Sequence, residues 1–196
     1  MIRAARWLIR FEIGIWRSLF LWATRRVAGM RPGAVAYAYH RQIAPIIGAF
    51  IFVSAIELPV VHLLIPWDTV RLVALFLSVW GLLWMIGLLA SMKVFPHLLE
   101  ADGLRVRYGA HVSVLVPWEA VESVAARRRS VESGRSLQVE DGVATVPVMK
   151  QTRVDVALRE PVRVGEDEVR QVRLYVDSPK TFVPAARARL AERVRR

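Results

Sequence analysis

Two ionisable residues sit where water does not readily reach. Glu57 and His62 interrupt an apolar run from Ile43 to Ile65 in which Ser54 is the one other polar side chain. A carboxylate or imidazole in an apolar medium must be neutral, hydrogen-bonded or paired, and so invites a functional reading. Pro59 lies two residues after Glu57 and frees a backbone carbonyl one turn earlier, which favours a kink around the carboxylate. Two readings stay open. Glu57 faces another membrane helix and handles protons or ions, or it is a neutral packing residue with His62 at the interface.

The second chemistry is cationic. At 100° per residue Arg3, Arg6, Arg10 and Arg17 fall on one stripe with Gly14, and Trp7, Leu8, Phe11, Ile15, Trp16, Leu19 and Trp22 occupy the rest of the surface. Glu12 projects from that apolar side, as a snorkelling carboxylate or a contact with the next segment. Arg127-Arg128-Arg129 form a triplet, Arg105 and Arg107 alternate with apolar residues, and five arginines from Arg187 to Arg196 crowd the C-terminus. A net charge of +11 favours anionic partners. The aromatic residues that would stack bases are not interleaved with these cations, which argues against nucleic acid. Anionic lipid is the simpler partner, since each Lys or Arg near an acidic leaflet contributes about 1 kcal/mol. A solvated positive face that only sets topology is the competing reading.

Other reaction chemistry lacks its residues. There is no cysteine, and His40, His62, His97 and His111 stand in different segments without metal-ligand spacing. His97 follows Pro96 and reads as an interfacial residue. No phosphate-binding glycine loop or serine nucleophile elbow occurs, and Ser130 and Ser133 have no nearby histidine base. The chain is therefore expected not to be an enzyme and to need no cofactor or metal.

Positioning falls to segregated elements. A 55% hydrophobic chain with mean hydropathy +0.35 is too apolar for an ordinary soluble domain, while 23% charged residues are too many for a helix bundle in lipid. Residues 1–30 are expected to form an amphipathic helix lying in a membrane interface, ended by Arg31-Pro32-Gly33, with 31–42 as linker. Residues 43–92 are expected to form a transmembrane hairpin, 43–65 and 70–92, turning at Pro66-Trp67-Asp68. Arginines cluster at both ends and only Arg71 marks the turn, so both termini are expected on the cytoplasmic side of the plasma membrane. Arginine outnumbers lysine 25 to 3, as in proteins of GC-rich bacterial genomes.

Residues 93–196 alternate with period two, at Leu104 to Tyr108, Val112 to Val116, Ala120 to Arg127, Val143 to Met149, Val154 to Leu158 and Val169 to Tyr175. Ser178-Pro179 then opens a helix over 179–195 with Phe182, Val183, Ala186, Leu190 and Val194 on one face. The expectation is six or seven antiparallel strands closed by one helix.

Three stretches, Leu99-Glu100-Ala101-Asp102-Gly103-Leu104-Arg105-Val106, Val116-Pro117-Trp118-Glu119-Ala120-Val121 and Asp177-Ser178-Pro179-Lys180-Thr181-Phe182, resemble the turn, corner and helix cap of bacterial pleckstrin-homology-like membrane proteins. The resemblance covers about half the chain. It implies a curved antiparallel sheet or barrel that serves as a platform for protein contacts or oligomerisation, with Arg127 to Arg129, Arg105 and Arg107 as the comparable basic surface. The triplet falls mid-domain and not in the first hairpin, so phosphoinositide specificity does not transfer. The function so implied is a membrane-anchored binding or assembly module touching anionic lipid, a membrane-protein partner or a second copy. The alternative is an accessory subunit of a transporter or ion-translocating complex that works through Glu57.

Overall fold

The computed structural model of the chain describes residues 2–194, with side chains described for 8–193. Helix α1 spans Ile2–Ala23, strand β1 Val35–Tyr37, helix α2 Ala44–Leu64 and helix α3 Asp68–Val94. Strands β2 (His97–Leu99), β3 (Gly103–Tyr108), β4 (Val112–Pro117), β5 (Val121–Ser130), β6 (Gln138–Glu140), β7 (Val143–Val146), β8 (Gln151–Val164) and β9 (Asp167–Leu174) follow, then helix α4 (Pro179–Val194).

Helices α2 and α3 are each long and apolar enough to cross a membrane. Pro45 in the first turn of α2 costs no hydrogen bond, and Pro66 blocks its continuation. Pro59 leaves the helix unbroken. Asp68 opens α3 and pairs with Arg71, placing a carboxylate at the positive end of the helix dipole. At about 1.5 Å per residue, the 21 residues of α2 reach roughly 31 Å and the 27 of α3 roughly 40 Å. The end of α3 is buried at Gly87, Ala90, Ser91, Met92 and Val94: Gly87 lies against Ile15 of α1, while Ser91 and Met92 meet the sheet domain.

Two sheets form that domain. One has the order β1-β2-β3-β4 and is antiparallel; the other has the order β5-β8-β9-β7-β6. Three differences from the expectation stand out. The second sheet contains a parallel pair, β7 with β9, so the domain is not purely antiparallel. No ladder among the described residues joins the edges of the two sheets, so they do not close into a barrel. The segment 31–42 is more than a connection, because Val35–Tyr37 adds a strand to β2.

Strand β8 also runs well beyond Leu158. Pro161 lies in it, but within the irregular stretch between Ala157 and Val162 where the ladder to β9 shifts register, so the missing N–H breaks no regular pair. The core joins residues of both sheets, among them Leu104, Val116, Trp118, Val156 and Leu174, with Phe182, Val183 and Ala186 of α4. That helix starts as expected, with Phe182 N–H donating to the Ser178 carbonyl at 3.1 Å. Arg195 and Arg196 lie outside the described residues.

Candidate functional site

The densest polar chemistry lies where the apolar helices meet the sheets. His97, in β2 just beyond α3, is buried at 1% exposure. Its Nδ1 accepts the Arg107 backbone N–H at 3.0 Å, so the ring proton is on Nε2, which donates to the Tyr175 carbonyl at 2.9 Å. Burial lowers its pKa to about 4, leaving it neutral at physiological pH. The expected interfacial histidine is thus a core residue. Tyr39 packs against that ring at 4.7 Å, and its hydroxyl accepts the Gly109 N–H at 2.7 Å. Burial pushes the Tyr39 phenol well above its usual range.

Around this centre the cations of β3 are engaged within the chain. Arg107 is buried and donates to the Ala28 carbonyl at 2.7 Å, holding the end of the α1 connection. Arg105 forms a bidentate pair with Glu100, Nε to Oε1 at 2.7 Å and a second bond at 2.9 Å. Hydrogen bonding from Arg105 holds the Glu100 carboxyl below the usual carboxylate range against the cost of burial. The Asp102-Gly103 turn brings the pair together. A Cβ on Gly103 would stand 2.4 Å from the Val116 carbonyl oxygen, so only glycine fits that close approach. Trp118 covers the turn, its indole donating to the Glu100 carbonyl at 3.0 Å. Two of the three stretches that carry the family resemblance therefore pack on one another.

Helix α1 is clamped between α3 and the β3–β4 turn. A Cβ on Gly87 would meet Ile15 Cγ2 at 2.6 Å, and one on Gly14 would meet the Ala110 Cβ at 3.0 Å. Glu12 accepts indole hydrogen bonds from Trp16 at 2.9 Å and Trp84 at 3.0 Å, so its contact is with α3 and not with the next segment, α2. Gly14, which shares the arginine stripe, approaches the sheet domain at Ala110, while the buried face of α1 is that of Ile15 and Ser18. Arg10 and Arg17 are exposed; the side chains of Arg3 and Arg6 lie outside the described residues.

The remaining candidates stay apart from this centre. Arg127 and Arg128 are exposed on β5, while Arg129 pairs with Asp155 at 3.1 Å. Glu57 and His62 are exposed on α2, with no hydrogen bond or ion pair to another described residue. Among the described residues no group of three acidic, histidine or cysteine side chains gathers as a metal site. An open cleft of about 430 Å³ between the loop after β5 and β6–β7, lined by Glu132, Glu140, Asp141 and Arg173, carries no histidine or nucleophile–base pair.

Sequence reasoning missed Tyr39 and Glu100. Tyr39 ends a short alternating run, Ala34-Val35-Ala36-Tyr37-Ala38-Tyr39, whose period-two pattern was the available signal. The five-residue spacing of Glu100 and Arg105 across an Asp-Gly turn was the available signal for their pairing. Comparison with family models, with curated proteins and with solved structures gave no match.

Proposed function

We propose that the chain is a membrane-anchored binding or assembly module, with α2 and α3 crossing the plasma membrane and the sheet domain held against its cytoplasmic face. One observation carries this reading. The large apolar side chains exposed on α2 and α3, such as Phe50, Phe52, Leu72 and Phe76, give way to burial at the end of α3, where Ser91 and Met92 meet the sheet domain. So large an exposed apolar surface needs lipid or protein around it. The continuous helix makes the domain a rigid extension of the anchor. Arginine placement supports cytoplasmic termini on both sides of the hairpin.

The docking of the Pro117-Trp118 corner on the Asp102-Gly103 turn, with α4 over the core, supports a pleckstrin-homology-like relationship and hence a binding role. With Arg105 and Arg107 held internally, anionic headgroups would meet Arg10, Arg17, Arg127 and Arg128. Carbonate extraction of bacterial membranes, with protease digestion of inverted and right-side-out vesicles, tests the proposal. The chain is expected to resist extraction and its sheet domain to be cut only in inverted vesicles. Release by carbonate, or cutting from the outer side, overturns it.

The isolation of Glu57 favours a second reading. A carboxylate on the outer face of a spanning helix is stabilised by a neighbouring helix that supplies a donor, from a transporter-like partner or a second copy. Gentle solubilisation is expected to retain that partner with the native chain and lose it with Glu57→Ala. An unchanged complex removes this reading.

A further inference from the structure

From Phe95 to the end of the described residues, one large apolar side chain remains exposed. It is Met149, 43% accessible, in the tight turn that leads from β7 into β8, closed by an isolated Val148–Gln151 bridge. The tip is a two-residue turn closed by reciprocal Val148 and Gln151 backbone hydrogen bonds, both 3.0 Å. Its central residues are Met149 at φ 48° and Lys150 at φ 59°. Two successive positive φ values define the tight hairpin turn that matches strand twist, a turn for which Asn-Gly is the unstrained choice. An unbranched apolar residue and a lysine are strained there, so local folding alone does not select them.

The place of the tip supplies a reason for these residues. Val148 belongs to the packed cluster containing Tyr39, Tyr175, Met92 of α3 and Ile47 of α2, with Ile43 and Ile51 beside it. The turn is thereby held beside the first two turns of α2, where its apolar length begins. Arg153 lies 4.8 Å over the ring of Tyr175, a member of the same cluster, and the Lys150 carbonyl accepts the Val131 N–H at 2.9 Å, tying the turn to the end of β5.

We infer that the Met149-Lys150 turn is a lipid-contacting tip: Met149 enters the headgroup layer of the bilayer crossed by α2 and α3, and Lys150 meets anionic lipid phosphates. The apolar end of methionine suits the upper acyl region, and lysine reaches back to phosphate depth. The tip adds a third attachment to the two helices and fixes the tilt of the sheet domain over the membrane. This inference rests on the membrane-anchored reading, so its test must separate the two.

The native chain has no cysteine, so single positions can be labelled cleanly. The full chain carrying Met149→Cys, Asp167→Cys or Phe50→Cys is labelled with an environment-sensitive fluorophore. Each is reconstituted into phosphatidylcholine–phosphatidylglycerol vesicles containing nitroxide lipids. Position 149 is expected to be quenched severalfold more by shallow nitroxides than position 167, and adding Lys150→Glu to Met149→Cys is expected to halve that quenching at least. Position 50 should respond to deep nitroxides. Quenching at 50 with none at 149 overturns the tip and leaves the anchor standing, whereas absence of quenching at both overturns both. In detergent, replacing the tip by Met149→Asn with Lys150→Gly is expected to raise the thermal midpoint, and a fall would show that the native residues serve the fold alone.

Discussion

The Trp84 indole of α3 donates to one oxygen of Glu12 at 3.0 Å while Trp16, one turn further along α1, donates to the other at 2.9 Å. A carboxylate in an apolar setting is thus satisfied by two aromatic donors, and the pair ties α1 to α3. Trp16 also meets Trp80 edge to face at 4.9 Å, so the clamp extends along α3 toward the hairpin turn.

Removing the acceptor should loosen the first helix. Glu12→Ala leaves two half-buried indole donors unpaired, at a cost of about 1–3 kcal/mol, and Glu12→Gln, which keeps one acceptor oxygen, should cost less. Tryptic cleavage after exposed Arg25 and Arg26 reads the effect. The alanine variant is expected to be cut severalfold faster than the native chain, with glutamine between them.

Crowding the same joint should act similarly. Gly87→Val places methyl groups where Ile15 Cγ2 and the Ile15 carbonyl already stand, at 2.6 and 3.2 Å from the first added carbon. Overpacking of this kind costs roughly 1–3 kcal/mol. The thermal midpoint in detergent should fall and the Trp16–Trp80 fluorescence signature should change. An unchanged midpoint would mean that α1 does not dock on Gly87.

Tyr39→Phe keeps the ring contact with His97 and removes only the acceptor of the Gly109 N–H. A buried, unpaired donor costs about 1–3 kcal/mol. Differential scanning fluorimetry should show a lower midpoint, and hydrogen exchange at Gly109 should accelerate.

His97 makes the sheet domain acid-sensitive. The unfolded imidazole protonates near its ordinary pKa of about 6.5, but the buried one only near 4, so below pH 6.5 the unfolded state binds the extra proton first. Stability is complete above that range and falls as pH drops toward 4, by roughly 3 kcal/mol for a group so fully buried. Glu100 acts lower: its depressed carboxyl contributes stability above the ordinary carboxylate pKa, lost as pH falls through its folded value. Unfolding measured by Trp118 emission from pH 8 to 4 should show this slope. In His97→Gln, destabilised overall, the slope between 6.5 and 4 should flatten.

The sequence reading reached the two long apolar helices and much of the sheet because unbroken apolar runs and period-two alternation are local signals. Apolar runs spanning 43–65 and 70–92 correspond to α2 and α3, shifted by a few residues at their ends. The alternation over 104–108 and 112–116 corresponds to β3 and β4. It missed β1, β2 and β6, each three residues long; β2 and β6 carry too little alternation to register, whereas β1 lies within the alternating run from Ala34 to Tyr39. It also treated Arg105 and Arg107 as a binding surface. Their outward alternation was visible, but not that Glu100 and the Ala28 carbonyl occupy the space beside them.

The amino-acid sequence by itself determined which segments are apolar, where charge gathers and where the last helix begins, because those properties follow from local composition and spacing. It carried the first helix to residue 30, whereas α1 ends at Ala23 and the chain turns before Arg31-Pro32-Gly33. Only the tertiary structure decided that Glu12 meets Trp84, that His97 is sealed inside with a single tautomer, and that Met149 and Lys150 stand at the foot of α2. These are relations between residues far apart in the chain, set by how a 27-residue helix and two sheets pack. No local pattern encodes such distances.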